Sequence, residues 1–240
     1  MSLQNIKALT CDTGGTVLDW HTGFTQAFAV AGERHGLDRN WSELARELRR
    51  RSMAAMLNLG RDEPAAYNFD DAHRFCLDAL LADEDLDVFD EADRRRIAWQ
   101  APHQFKAWAD VRPGLNDLRN SFIVASFTIL SYRLVIDSAR HNGLVWDAVL
   151  SCEGHGTYKL LPEAYRRTAK LLQLQPEECL MVACHPYDLE AAAAEGFKTA
   201  LIWRENEWGA DCPAPPARPD PSQFDASVDS FTALSELLSP

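Results

Sequence analysis

Short apolar runs alternate along the chain with segments in which apolar residues recur every three or four positions. That alternation predicts an α/β fold, a Rossmann-like, doubly wound, mainly parallel sheet with helices on both faces. The runs Ile6–Cys11, Phe122–Ser126, Asp147–Ser151, Cys179–Cys184 and Lys198–Trp203 read as five strands, and Glu163–Leu172 and Asp188–Glu195 as helices between them. A last short strand and helix are expected over Asp225–Leu238, after a proline-rich loop from Cys212 to Pro221.

Between the first and second strands lies a long stretch, Trp20 to about Asn120, with almost no β-branched run. It is too long for a simple crossover. Amphipathic spacing predicts helices over Trp41–Leu59, ending before Gly60, over Phe69–Leu81 and over Phe89–Trp108. Residues 20–109 are therefore expected to form a helical cap domain inserted into a core of residues 1–19 and 110–240. An insertion at the carboxyl end of the first strand stands over the usual ligand crevice of an open α/β sheet.

The 240 residues suffice for a substantial buried core, and 46% hydrophobic with 25% charged residues is ordinary for a globular protein. A net charge of −12 disfavours nucleic acid and anionic membrane surfaces as partners. The six cysteines are scattered without a Cys-x-x-Cys pair, which fits a reducing cytoplasm. Neither a signal peptide nor an apolar run of the ~18 residues a membrane span needs is visible. Cys11 and Cys184 read as small buried hydrophobes, and Trp99, Trp108 and Trp146 as core residues.

Chemistry concentrates at strand ends. Asp12 follows the first strand in Cys11-Asp12-Thr13-Gly14-Gly15-Thr16-Val17-Leu18-Asp19-Trp20, where glycines let a ligand approach the backbone. Ser126 ends the second strand, Lys159 lies in Tyr158-Lys159-Leu160-Leu161-Pro162-Glu163-Ala164-Tyr165, and Asp188 follows the next strand in Cys184-His185-Pro186-Tyr187-Asp188. Four such groups in this order resemble the motifs of the haloacid dehalogenase superfamily, and most nearly its type II 2-haloacid dehalogenases and a related fluoroacetate-active branch.

The resemblance implies that Asp12 is the nucleophile, Lys159 its cationic partner and Asp188 the carboxylate that pairs with Lys159 and positions water. It also implies that Ser126 and amides of the Asp12–Thr16 loop bind a substrate carboxylate, with Thr16 and Tyr165 nearby and a homodimer as the assembly. Arg46, Arg49, Arg50 and Arg51 cluster on one cap helix, and Arg49 aligns best with the arginine that cradles a departing halide, with Arg50 or Arg51 as alternative registers. His185 is either a proton relay or a structural hydrogen-bonding group. Phosphatases of the superfamily carry an acid two residues beyond the nucleophile, and here that position is Gly14; Cys184 likewise replaces an acidic metal ligand. A hydrolase without metal or other cofactor is expected, acting through an aspartyl ester on a small carboxylate.

The departures point further. The second motif reads Ser126-Phe127-Thr128 where dehalogenases have Ser-Asn-Gly, so the amide donor to halide is missing. Phe127 and Trp20 would instead suit an ammonium group. On that ground the pattern resembles superfamily members that open the ring of L-azetidine-2-carboxylate to 2-amino-4-hydroxybutanoate. The alternative is an (S)-2-haloacid dehalogenase, which requires Arg49 to face the pocket. A phosphatase and a catalytically silent binding protein are the remaining readings.

Overall fold

Strands buried on both faces have no polar alternation, and β1 (Ala8–Cys11) is buried at every position. In the computed structural model, which describes residues 3–57 and 67–239, β1 is followed by four helices. These are α1 (Trp20–Arg34), α2 (Trp41–Leu57), α3 (Phe69–Asp83) and α4 (Glu91–Arg95). The chain then runs through α5 (Val111–Leu118), β2 (Ile123–Thr128), α6 (Tyr132–Asn142), β3 (Ala148–Ser151), α7 (Cys152–His155) and α8 (Pro162–Leu171). It ends with β4 (Cys179–Ala183), α9 (Pro186–Ala194), β5 (Lys198–Ile202), β6 (Ala226–Val228) and α10 (Phe231–Leu238).

All six strands are parallel, in the order β3-β2-β1-β4-β5-β6. This is the doubly wound order, and the side on which the chain adds strands changes at β1, placing a crevice above its carboxyl end. The terminal strand, short as it is, joins the sheet beside β5 as a sixth member. Registry sets heights within the sheet: Cys11 stands level with Ser126 on one side and Val182 on the other. Asp12 is therefore the first residue above the sheet.

The helix expected over Phe89–Trp108 is broken. Asp90 caps α4 by accepting from the Asp93 amide, a wider π-helical turn follows over Arg96–Gln100, and a short 3-10 turn over Pro102–Gln104. Pro102 has no N–H to continue an α-helical ladder. Trp99 is 38% exposed rather than core, stacked on His103 at 4.1 Å between ring centres. Trp108 and Trp146 are half-buried at the core margin. The end of the helix expected over Trp41–Leu59 lies outside the described residues. No described helix is long and apolar enough to cross a membrane.

Buried side chains of α1, α2 and α3, among them Trp20, Phe24, Phe28, Leu48 and Phe69, are continuous with the sheet core around Leu9, Phe127 and Leu180. A carboxylate also bridges the helical stretch to the sheet's helices. Asp70 of α3 accepts from Ser131, the cap of α6, at 2.5 Å and meets His103 Nε2 at 3.2 Å. His103 Nδ1 lies 2.9 Å from Asp137 of α6.

Candidate active site

The loop after β1 is tied to its neighbours on both sides. The Asp12 amide donates to the Val182 carbonyl of β4 at 2.9 Å, and the amides of Val17 and Leu18 both donate to the Thr13 carbonyl at 2.9 Å. Gly15 has φ +93°, and a Cβ there would come within 2.2 Å of Glu207 Oε1, so only glycine fits. At Gly14 a Cβ would lie 3.3 Å from Arg49 Nη2. A side chain longer than that would displace the guanidinium, which donates to the Gly14 carbonyl at 3.2 Å. The position that carries an acid in the phosphatases thus holds an arginine head group instead.

Asp12 is gripped on both oxygens. Lys159 Nζ stands 3.3 Å from Oδ1, the Thr16 hydroxyl donates to Oδ2 at 2.7 Å, and His185 Nδ1 faces Oδ2 at 3.3 Å. Thr16 also accepts from the Cys184 amide at 2.9 Å, so it both tethers Asp12 and joins β1's loop to the end of β4. Lys159 donates to Asp188 Oδ2 at 2.7 Å, and the Tyr165 hydroxyl donates to Asp188 Oδ1 at 2.7 Å. Burial by itself would raise the Asp12 pKa, but Lys159, His185 and Thr16 outweigh it and hold the carboxyl well below the usual carboxylate range. Burial raises Asp188, against the pull of Lys159. Lys159 stays charged because both carboxylates overcome its desolvation.

Arg49 is the arginine of α2 that enters the site. It is buried and lines a cavity together with Asp12, Gly14, Thr128, Lys159 and His185. Arg50 and Arg51 turn away, pairing with Glu43, Glu47 and Asp83 on the surface. Met53, Leu57, Ile129, Leu130 and Tyr187 form the apolar part of the wall.

Three expected binding residues are placed differently. Ser126 is completely buried, level with Cys11 and below the cavity, and its hydroxyl has no hydrogen-bond partner among the described residues. Thr128, two residues on and so on the same strand face, reaches the cavity. Its hydroxyl shares a 2.6 Å hydrogen bond with that of Thr13 and accepts from the Leu130 amide at 3.1 Å. The motif is displaced by one strand repeat, and Ile129 and Leu130 follow it where an amide donor was sought. Phe127 points into the core against Tyr165, with Lys159 Nζ 4.5 Å above its ring centre. Trp20 is buried with the Arg49 guanidinium 5.3 Å from its ring centre. Both aromatic faces are already taken by cations of the protein.

Two residues escaped the sequence pattern. Tyr187 stacks on His185 with ring centres 5.2 Å apart and lines the cavity. Glu207, in the turn after β5, is buried beside the nucleophile loop. It accepts from Trp20 Nε1 at 3.0 Å and faces His185 Nε2 at 2.9 Å. Nothing local in Arg204-Glu205-Asn206-Glu207-Trp208 marks it, because only the fold returns this turn to β1. The same turn is pinned by Arg204, which donates to the Thr16 carbonyl and pairs with Asp110. The Cys11 and Cys184 thiols are pushed up by burial and are poor nucleophiles.

The family model for haloacid dehalogenase-like hydrolases matches residues 6–196. No curated protein sequence is similar enough to count as a relative. Among solved structures, a defluorinating L-2-haloacid dehalogenase is 34% identical, with 97% of this chain and 95% of that one covered and a TM-score of 0.85. A second L-2-haloacid dehalogenase is 31% identical over 98% of this chain and 100% of its own, TM-score 0.87. The L-2-haloacid dehalogenase of Xanthobacter autotrophicus, solved with chloropropionic acid covalently bound, shares the fold at 19% identity, TM-score 0.78, over 97% of this chain and 98% of its own.

Proposed function

Because the chain belongs to the haloacid dehalogenase-like hydrolases, we propose that it hydrolyses the carbon–halogen bond of a small L-2-haloacid and gives the 2-hydroxy acid. The observation that carries this reading is the buried Arg49 guanidinium, which lines the same cavity as Asp12 and donates to the Gly14 carbonyl of its loop. A halide leaves as an anion, and a fixed donor cation at the site of departure stabilises the developing charge. The helices between β1 and β2 act in this reading as the cap that brings Arg49 over the nucleophile.

Asp12 attacks the substrate's second carbon, halide departs toward Arg49, and an ester joins the substrate to the carboxylate. Lys159 keeps Asp12 ionised, and Asp188, held by Lys159 and Tyr165, orients the water that opens the ester. The paired hydroxyls of Thr13 and Thr128 have one proton to spare beyond their mutual bond, and that O–H meets the substrate carboxylate. With Gly14 in place of an acid, phosphoryl transfer lacks its proton donor.

Ring opening of azetidine-2-carboxylate loses the support it had. Phe127 and Trp20 offer no free face, and a substrate ammonium would meet Arg49 and His185, both cationic. The test is single-turnover hydrolysis in ¹⁸O-water with a chelator present, on L-2-chloropropionate, L-2-fluoropropionate and L-azetidine-2-carboxylate. Halide release with label entering Asp12 is the expected result for the haloacids. Label with azetidine alone would return the C–N reading, and dependence on added magnesium would return the phosphatase.

A further inference from the structure

Glu207 is a buried carboxylate that nucleophilic displacement does not require. One of its oxygens, Oε1, accepts from Trp20 Nε1 at 3.0 Å and lies 2.9 Å from His185 Nε2. The other ring nitrogen of His185, Nδ1, faces Asp12 Oδ2 at 3.3 Å. An imidazole with an acceptor on each nitrogen has protons for both only as the cation. Burial opposes that charge, but Cys184, Glu207, Tyr187 and the contact with Asp12 together push His185 well above the ordinary imidazole range. Glu207 moves the opposite way, its burial outweighed by His185, Arg49 and Trp20. The ring is thus faced by Asp12 after β1, Cys184 after β4, Tyr187 on α9 and Glu207 after β5, with Arg49 of α2 across the cavity.

The two oxygens of Asp12 differ in consequence. Oδ2 takes Thr16 at 2.7 Å and His185 at 3.3 Å, whereas Oδ1 takes Lys159 at 3.3 Å. An oxygen whose lone pairs are both engaged is the poorer nucleophile, so Oδ1 attacks and Oδ2 becomes the carbonyl oxygen of the ester. We propose that Glu207 is a positioning residue that fixes His185, whose Nδ1–H forms with the Thr16 hydroxyl an oxyanion site around Oδ2 during hydrolysis of the Asp12 ester. The inference rests on the aspartyl-ester reading above. Water oxygen bonds to Cγ, and the carbonyl π pair moves onto Oδ2, where the two donors hold it. Collapse restores the carbonyl and breaks the Cγ–Oδ1 bond. One water proton passes to Oδ1, which leaves as the product hydroxyl, and the other is released as the Asp12 carboxylate reforms. Loss of one such donor typically lowers kcat by about 10²–10³-fold.

Glu207→Gln keeps a hydrogen-bonding group at Oε1 but removes the charge that holds the second proton on His185. On L-2-chloropropionate, chloride release in the first turnover should stay within about 3-fold of wild type while steady-state turnover falls about 10²-fold, and the ester adduct should accumulate by intact-protein mass. Glu207→Asp, which keeps the charge, should restore part of the turnover and guards against a folding defect. In parallel, ¹⁵N NMR at pH 8 should show both His185 nitrogens protonated in wild type and one only in Glu207→Gln. A neutral His185 in the wild type, or burst and steady state slowed equally without adduct, would overturn the inference. The NMR arm needs no substrate: a neutral His185 beside normal halide release removes only the present inference. A charged His185 with no ¹⁸O label in Asp12 after a single turnover in labelled water removes the ester reading and the oxyanion site with it.

Discussion

Asp12 owes its charge to neighbours that lie up to 173 positions away in the chain, Lys159 and His185 among them, and its replacement tests the whole reading. Asp12→Asn should abolish both halide release and label uptake, read by a chloride electrode and mass spectrometry. The displaced second motif has its own test. Thr128→Val removes a hydroxyl that Thr13 and the Leu130 amide both use, and kcat/KM on L-2-chloropropionate should fall by about 10-fold or more, in line with ~1.5–3 kcal/mol for a hydrogen bond to a charged group. Ser126→Ala touches a hydroxyl without a partner among the described residues and should leave kcat/KM within about 2-fold. The reversed result would return Ser126 to the site. The strand's period of two is why this misplacement arises: Ser126 and Thr128 share a face, and sequence pattern cannot say which of them is the last residue before the crevice.

Helix α2 carries four arginines in near succession, and its rotation about its own axis decides their fates. Arg46 is drawn to Asp211 and the Trp208 carbonyl, Arg49 to Gly14, and Arg50 and Arg51 to surface carboxylates. Arg49→Ala should lower kcat for halide release by about 10²–10³-fold. Arg50→Ala and Arg51→Ala should change it by less than about 2-fold, since exposed ion pairs contribute ~0–1 kcal/mol. Steady-state kinetics of the three variants side by side gives the answer. The joint between α3, α6 and the turn at His103 has a pH signature. Burial opposes charge on His103, but Asp70 and Asp137 raise its pKa on balance. A histidine raised in the folded state adds stability that is complete below its unfolded value of ~6.5 and is lost as pH rises through the folded value. Thermal melts from pH 6 to 9 should therefore show the gap between wild type and His103→Gln narrow with rising pH. The gap at pH 6 should be about 1–3 kcal/mol. A constant gap would mean that the two aspartates do not act through the imidazolium.

Across the whole molecule, the crevice at the end of β1 is closed by parts drawn from six distant stretches: the nucleophile loop, α2, the end of β2, the loop that carries Lys159, the end of β4, and the turn after β5. The resulting cavity is polar at Asp12 and apolar at Met53, Leu57 and Ile129. Met53→Ala should raise kcat/KM for L-2-chlorohexanoate relative to L-2-chloropropionate by about 10-fold, since one methylene in an apolar pocket counts for ~1–3 kcal/mol. An unchanged ratio would place the substrate's chain against another wall.

The chain's own pattern determined the parallel sheet, the helical stretch between its first two strands and the order in which Asp12, Lys159 and Asp188 meet. These rest on local periodicity and on the rule that strand ends face one crevice. The fold brings Asp12, Thr16, Lys159, Tyr165, Asp188 and His185 together. Tertiary structure alone decided which arginine enters, which residue of β2 reaches the cavity and what covers the faces of Phe127 and Trp20. It also brought Glu207 to His185. Each of these depends on the rotation of a helix or the height of a strand relative to another element, and both are fixed by packing between segments far apart in the chain rather than by any stretch of sequence read along its length.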